Sequence, residues 1–72
     1  MNIQIVDWGG NGDRLKPYTH GQEIEVPKEE LVETSFKIAR EFWDKGLNVM
    51  LCRRPDAKGI RVAVDKQRFQ VR

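Results

Sequence analysis

The stretch from Lys28 to Arg53, KEELVETSFKIAREFWDKGLNVMLCR, holds two hydrophobic periods and the switch between them. Leu31, Ser35, Ile38 and Phe42 recur at three- and four-residue spacing, with Val32, Ala39 and Trp43 beside them and Phe36 at the edge of the stripe. That period predicts an amphipathic helix over about 28–45. Pro27 stands where a fixed φ and a missing N–H suit a helix start, and Glu29 and Glu30 place negative charge in the first turn. Glu30, Glu33, Lys37, Glu41 and Asp44 fall on the opposite face. Within that stretch Glu33–Lys37 and Glu41–Lys45 are four-residue pairs, each contributing ~0.2–0.5 kcal/mol. Lys45-Gly46 reads as the stop: a cation in the last turn, then a glycine able to take the left-handed conformation. After Gly46 the period becomes two, and Leu47, Val49 and Leu51 alternate with Asn48, Met50 and Cys52 as in a strand.

Downstream, Pro55-Asp56-Ala57-Lys58-Gly59 is a turn cluster and Ile60-Arg61-Val62-Ala63-Val64 a returning strand, so the two runs form a hairpin. Arg68-Phe69-Gln70-Val71-Arg72 reads as a further short strand. Upstream, residues 2–7 alternate around Ile3 and Ile5, and Gln22 to Val26 alternates again. Between them runs a loop of about fourteen residues, a length usually found in functional or flexible segments. The expected fold is one α+β domain over residues 1–72: a three- to four-stranded antiparallel sheet with one long helix packed on one face.

Strand parity after Gly46 divides the hairpin. Leu47, Val49, Leu51, Ile60, Val62, Val64, Phe69 and Val71 point toward the helix; Asn48, Met50, Cys52, Arg54, Arg61, Ala63, Arg68, Gln70 and Arg72 point away. The second face is basic. The formal net charge of +2 is also uneven along the chain. Residues 1–46 carry six Lys/Arg against nine Asp/Glu, net −3, and residues 47–72 carry seven against two, net +5. Arg54, Arg61, Arg68 and Arg72, with Lys58 at the hairpin tip, are therefore candidates for contact with nucleic acid or another acidic partner. A guanidinium presents a fork of donors suited to phosphate, and an antiparallel ribbon backed by a helix can enter a major groove. The alternative for these residues is a solvated sheet face whose arginine stems cover Met50 and Ala63.

The second candidate surface is aromatic. Phe36 and Trp43 lie on one edge of the predicted helix, and Trp8 is also available. Aromatic side chains are enriched where one protein meets another. Either the long loop folds over them, or they stay open and a homodimer follows for so thin a core. On this reading the chain is a small protein-binding regulator, inhibitor or adaptor acting through the helix edge and the Gly-rich loop.

Other chemistry finds little support. Gly9-Gly10-Asn11-Gly12 lacks the Lys-Ser/Thr of a phosphate-binding loop, and Asp7, Asn11 and Asp13 lack calcium-loop spacing. His20 has Asp13 nearby in sequence, but no serine close by. The single cysteine, Cys52, allows no intrachain disulfide, and His20 and Cys52 are too few for a structural zinc site. No apolar run nears the ~20 residues of a membrane span, and the first residues lack the order of a secretory signal. The expectation is a cytosolic, non-enzymatic binding protein with no cofactor, no metal and no membrane association.

Overall fold

The computed structural model describes residues 1–55 and 58–67, with the backbone alone for Lys66 and Gln67. The strand expected over 68–72, and with it Arg68, Phe69, Val71 and Arg72, lies outside the described residues. Strand β1 spans Asn2–Asp7, β2 Glu23–Glu25, helix α1 Leu31–Asp44, β3 Leu47–Arg53 and β4 Gly59–Gln67. One-turn 3₁₀ segments lie at Gly12–Leu15 and Lys28–Glu30. The second runs directly into α1, so the helical stretch begins and ends where its hydrophobic period does. At its end Lys45 N–H donates to the Phe42 carbonyl (3.0 Å), Gly46 N–H donates to the Trp43 carbonyl (2.9 Å), and Gly46 takes φ +85°.

The α+β class is as the pattern predicts: α1 packs against one four-stranded sheet, in the order β2-β1-β4-β3. The sheet is mixed, however, and not antiparallel throughout. β1 pairs with β2 and β3 with β4 in antiparallel fashion, but β1 and β4 run parallel from Asn2↔Gly59 to Asp7↔Val64. The reason is which hairpin strand sits inside. Had β3 lain beside β1, the sheet would have alternated throughout; instead β4 takes the central place. Its Val62, Ala63 and Val64 are all fully buried, so β4 is covered on both faces as central strands are.

The core lies between sheet and helix. Ile3, Ile5, Val62, Val64 and Leu47 from the strands meet Ile38 and Phe42 from the helix. The long loop adds Leu15 to this core and lays Tyr18 on Phe42, ring centroids 5.5 Å apart. The loop is tied to the sheet at several points. Asp7 accepts hydrogen bonds from the Gly9 (3.1 Å) and Asn11 (2.9 Å) amides. Asn11 Nδ2 donates to the Asp65 carbonyl at 3.0 Å, anchoring the loop to β4. The Asp7 amide donates to His20 Nδ1 at 2.9 Å. His20 is thus an acceptor for backbone here.

Candidate functional site

The helix-free face of the sheet collects residues from all four strands. Ile24 packs against the core, so its neighbours Glu23 and Glu25 turn to the open face, opposite Gln4 and Asn2. These two carboxylates stand on the face that hairpin parity alone leaves purely cationic. Arg54 Nη1 reaches Glu23 Oε1 at 2.5 Å, and its side chain is only 12% exposed. Asn2 Nδ2 donates to the same Glu23 oxygen at 3.1 Å. Arg61 does point to the open face as predicted, where its Nε donates to Gln4 Oε1 at 3.1 Å. Lys58 is exposed in the turn before β4. Of the four arginines two are described: Arg54 is held by a carboxylate and Arg61 lies against a neutral amide, while Arg68 and Arg72 fall outside the described residues.

A different constellation forms around β3, an edge strand of the sheet among the described residues. Leu15 and Tyr18 carry the long loop to the Glu41 side of the helix, where the Tyr18 hydroxyl donates to Glu41 Oε2 at 2.7 Å. Lys45 Nζ donates to the carbonyls of Arg14 (3.3 Å) and Lys16 at the same end. The flank of α1 next to β3 is thereby left open: Val32 is 57% exposed, Phe36 61% and Trp43 48%. Between this flank and the strand runs an open groove of ≈430 Å³ lined by Phe36, Ala39, Arg40, Trp43, Val49 and Leu51. On the other face of the same strand, Trp8 (52% exposed) and Met50 (53%) border a hollow of ≈170 Å³. The three aromatic residues singled out in the sequence, from the first loop and from the helix, therefore all surround β3. Compared with models of protein families, with characterised proteins and with solved structures, the chain shows no match. What it does must be read from these surfaces.

The two sheet edges differ in kind. β2 has three residues, of which two are glutamates, and Pro27 follows close behind. Short length, charge and proline are the devices that keep an edge from pairing. β3 has seven residues, LNVMLCR, and carries no charge before Arg53. Its one irregularity is a register shift between Leu47 and Val49, at its start. The phase of its ladder follows from Arg54, whose N–H donates to the Gly59 carbonyl at 3.1 Å. Hydrogen-bonded pairs alternate along an antiparallel ladder, so Cys52 and Met50 bond toward β4, while Val49, Leu51 and Arg53 turn their N–H and C=O groups to the free edge.

Val49 and Leu51 are also the positions lining the groove, and sequence periodicity had placed them simply in the core. Their half-burial depends on the edge position of β3, which no local signal announces. Among the described residues no three His, Cys, Asp or Glu side chains gather as a metal-ion site, and no helix is long and apolar enough to cross a membrane.

Proposed function

We propose that this chain is a small non-enzymatic protein-binding module that takes a partner's strand along the free edge of β3. One observation carries the reading: an uncharged run of edge strand is bordered on both faces by exposed large apolar side chains, Phe36 and Trp43 above, Trp8 and Met50 below. Strand addition draws affinity from main-chain hydrogen bonds and specificity from pockets for alternate side chains. The outward amides of Val49, Leu51 and Arg53 would serve the first role and the groove the second. Regulation or adaptation of another protein through such an edge needs no catalytic group.

A second reading rests on the +5 balance of residues 47–72 and on Arg61 at the open face. It assigns that face to nucleic acid or another acidic partner. It is the weaker one because Glu23 and Glu25 share the face and Arg54 is engaged by Glu23.

Two double variants separate these readings, Phe36→Ala/Trp43→Ala and Lys58→Gln/Arg61→Gln. Protein complexes trapped by cross-linking should disappear with the aromatic pair and persist with the cationic pair. Oligonucleotide binding at low salt that weakens steeply as salt rises, and is lost only with the cationic pair, would overturn the strand-addition reading.

A further inference from the structure

Resting on the strand-addition reading, we infer that the strand received at this edge is β3 of a second copy, paired antiparallel about a two-fold axis at Met50. The argument begins with the register the main chain permits. The outward-facing residues are Val49, Leu51 and Arg53, so hydrogen-bonded pairs across the new seam must be drawn from these positions. A two-fold at Met50 pairs Val49 with Leu51 of the second copy and Leu51 with its Val49, and each pair exchanges two main-chain bonds. A two-fold at Leu51 also satisfies the backbone but sets Val49 against the charge of Arg53. Side-chain chemistry selects the first.

Under that axis the surface is self-complementary, as a two-fold interface requires. Val49 and Leu51 of both copies meet on the helix side, and the open flanks of the two helices face each other above them. Each copy brings Val32, Phe36 and Trp43 to this seam. Met50 faces Met50 on the opposite side, near Trp8. Arg53 falls beside Leu47 of the second copy, at the end of the seam and away from the Val49–Leu51 pairs.

The surface is also large enough. A large aromatic side chain buries roughly 150–250 Å², so the exposed parts of Phe36 and Trp43 hold on the order of 200 Å² in each copy. Val32, Met50, Trp8, the groove walls and the paired main chain supply the remainder of the ~1,200 Å² at which specific interfaces begin. The result is a continuous eight-stranded sheet with both helices on one face. Its two outer edges are the β2 strands, which carry the protective glutamates and proline.

Light scattering on the full chain is the first test, with a mass twice the 8.4 kDa of one chain expected. Register is then read by disulfide trapping. Opposed residues of a non-hydrogen-bonded pair lie ~4.5 Å apart at Cα, within reach of a disulfide. Met50→Cys in a Cys52→Ser background should therefore link to itself on mild oxidation. Asn48→Cys should link to the native Cys52 of the second copy. Asn48→Cys/Cys52→Ser should not link, because position 48 would lie ~14 Å from its counterpart.

A monomer at all concentrations overturns the inference, and so does a dimer in which Asn48→Cys/Cys52→Ser links as readily as Met50→Cys/Cys52→Ser. The unmodified chain's mass is read independently of any variant. If the chain is monomeric yet loses complexes with other proteins when Phe36 and Trp43 are truncated, self-pairing fails and strand addition stands. If neither mass nor complexes depend on this edge, both fail.

Discussion

Gly59 lies so close to Asn2 that a Cβ built on it would stand 1.7 Å from the Asn2 carbonyl oxygen. This is the first rung of the parallel β1–β4 pairing, and glycine is what lets the two backbones meet. It also holds a φ of +155°, which side chains seldom adopt. Gly59→Ala should cost about 3 kcal/mol or more, because the clash is with main chain and cannot be relieved by turning a side chain. Urea unfolding of the variant would show the lowered midpoint. A loss below ~1 kcal/mol would mean that β1 and β4 separate at this end without consequence.

Tyr18 provides a probe of the loop–helix contact, because it is the sole tyrosine of the chain. Burial, and then the hydrogen bond to Glu41 and its charge, push its phenol from 10.0 up to about 12. The folded state thus holds this proton more tightly than the unfolded chain does. The associated stability is complete below pH 10 and is lost as pH rises toward about 12. Tyrosinate absorbance should titrate late in the native protein and near the ordinary value in denaturant. Glu41→Gln should bring the midpoint part of the way down, since burial is the larger cause; no change on that substitution would contradict the 2.7 Å contact.

Ser35 and Phe42 lie on the same buried stripe and should respond very differently to truncation. The Ser35 hydroxyl, fully buried, donates only to the Val32 carbonyl one turn back, at 2.8 Å. Such local bonds add little to a helix, so Ser35→Ala should change stability by less than ~0.5 kcal/mol or raise it. Phe42 is fully buried between sheet, helix and Tyr18. Phe42→Ala should cost about 3–5 kcal/mol, a large share of what so small a domain commands. Thermal melts of the two variants decide the matter.

Asp7 closes the turn after β1 by accepting from two backbone amides and from the Asn11 side chain at 2.9 Å. Asp7→Ala should strip the Gly9 and Asn11 amides of their acceptor at a cost of about 1–3 kcal/mol. Hydrogen exchange would show those amides losing protection while Ile3 and Ile5 keep theirs. Equal loss in β1 would mean that the turn and the strand open as one unit.

The helix and its stop were legible because Leu31, Ser35, Ile38 and Phe42 repeat at one spacing and Lys45-Gly46 breaks it. The strands were legible from Ile3, Ile5 and the alternation after Gly46. Strand order was not, since Leu47-Val49-Leu51 and Ile60-Val62-Val64 offer β1 the same kind of apolar face. The available clue was Val62-Ala63-Val64, an unbroken apolar run of the kind central strands carry. Parity placed Arg61 correctly, but the glutamates that share its face arrive from β2, and no pattern within the hairpin reveals them. The openness of Phe36 and Trp43 depended on which flank of α1 the loop would take. Leu15 and Tyr18 decide that through contacts distant in sequence.

β4 is the last strand along the described residues, yet it is inserted between β1 and β3. Until it is in place, β1 has only the three residues of β2 beside it and β3 has no neighbouring strand in the described sheet. During synthesis, then, the chain must have left the ribosome as far as β4 before the central pairing can form. Until β4 emerges, the strands on either side of it have nothing to join them into one sheet, and non-local pairing of this kind is slow to form.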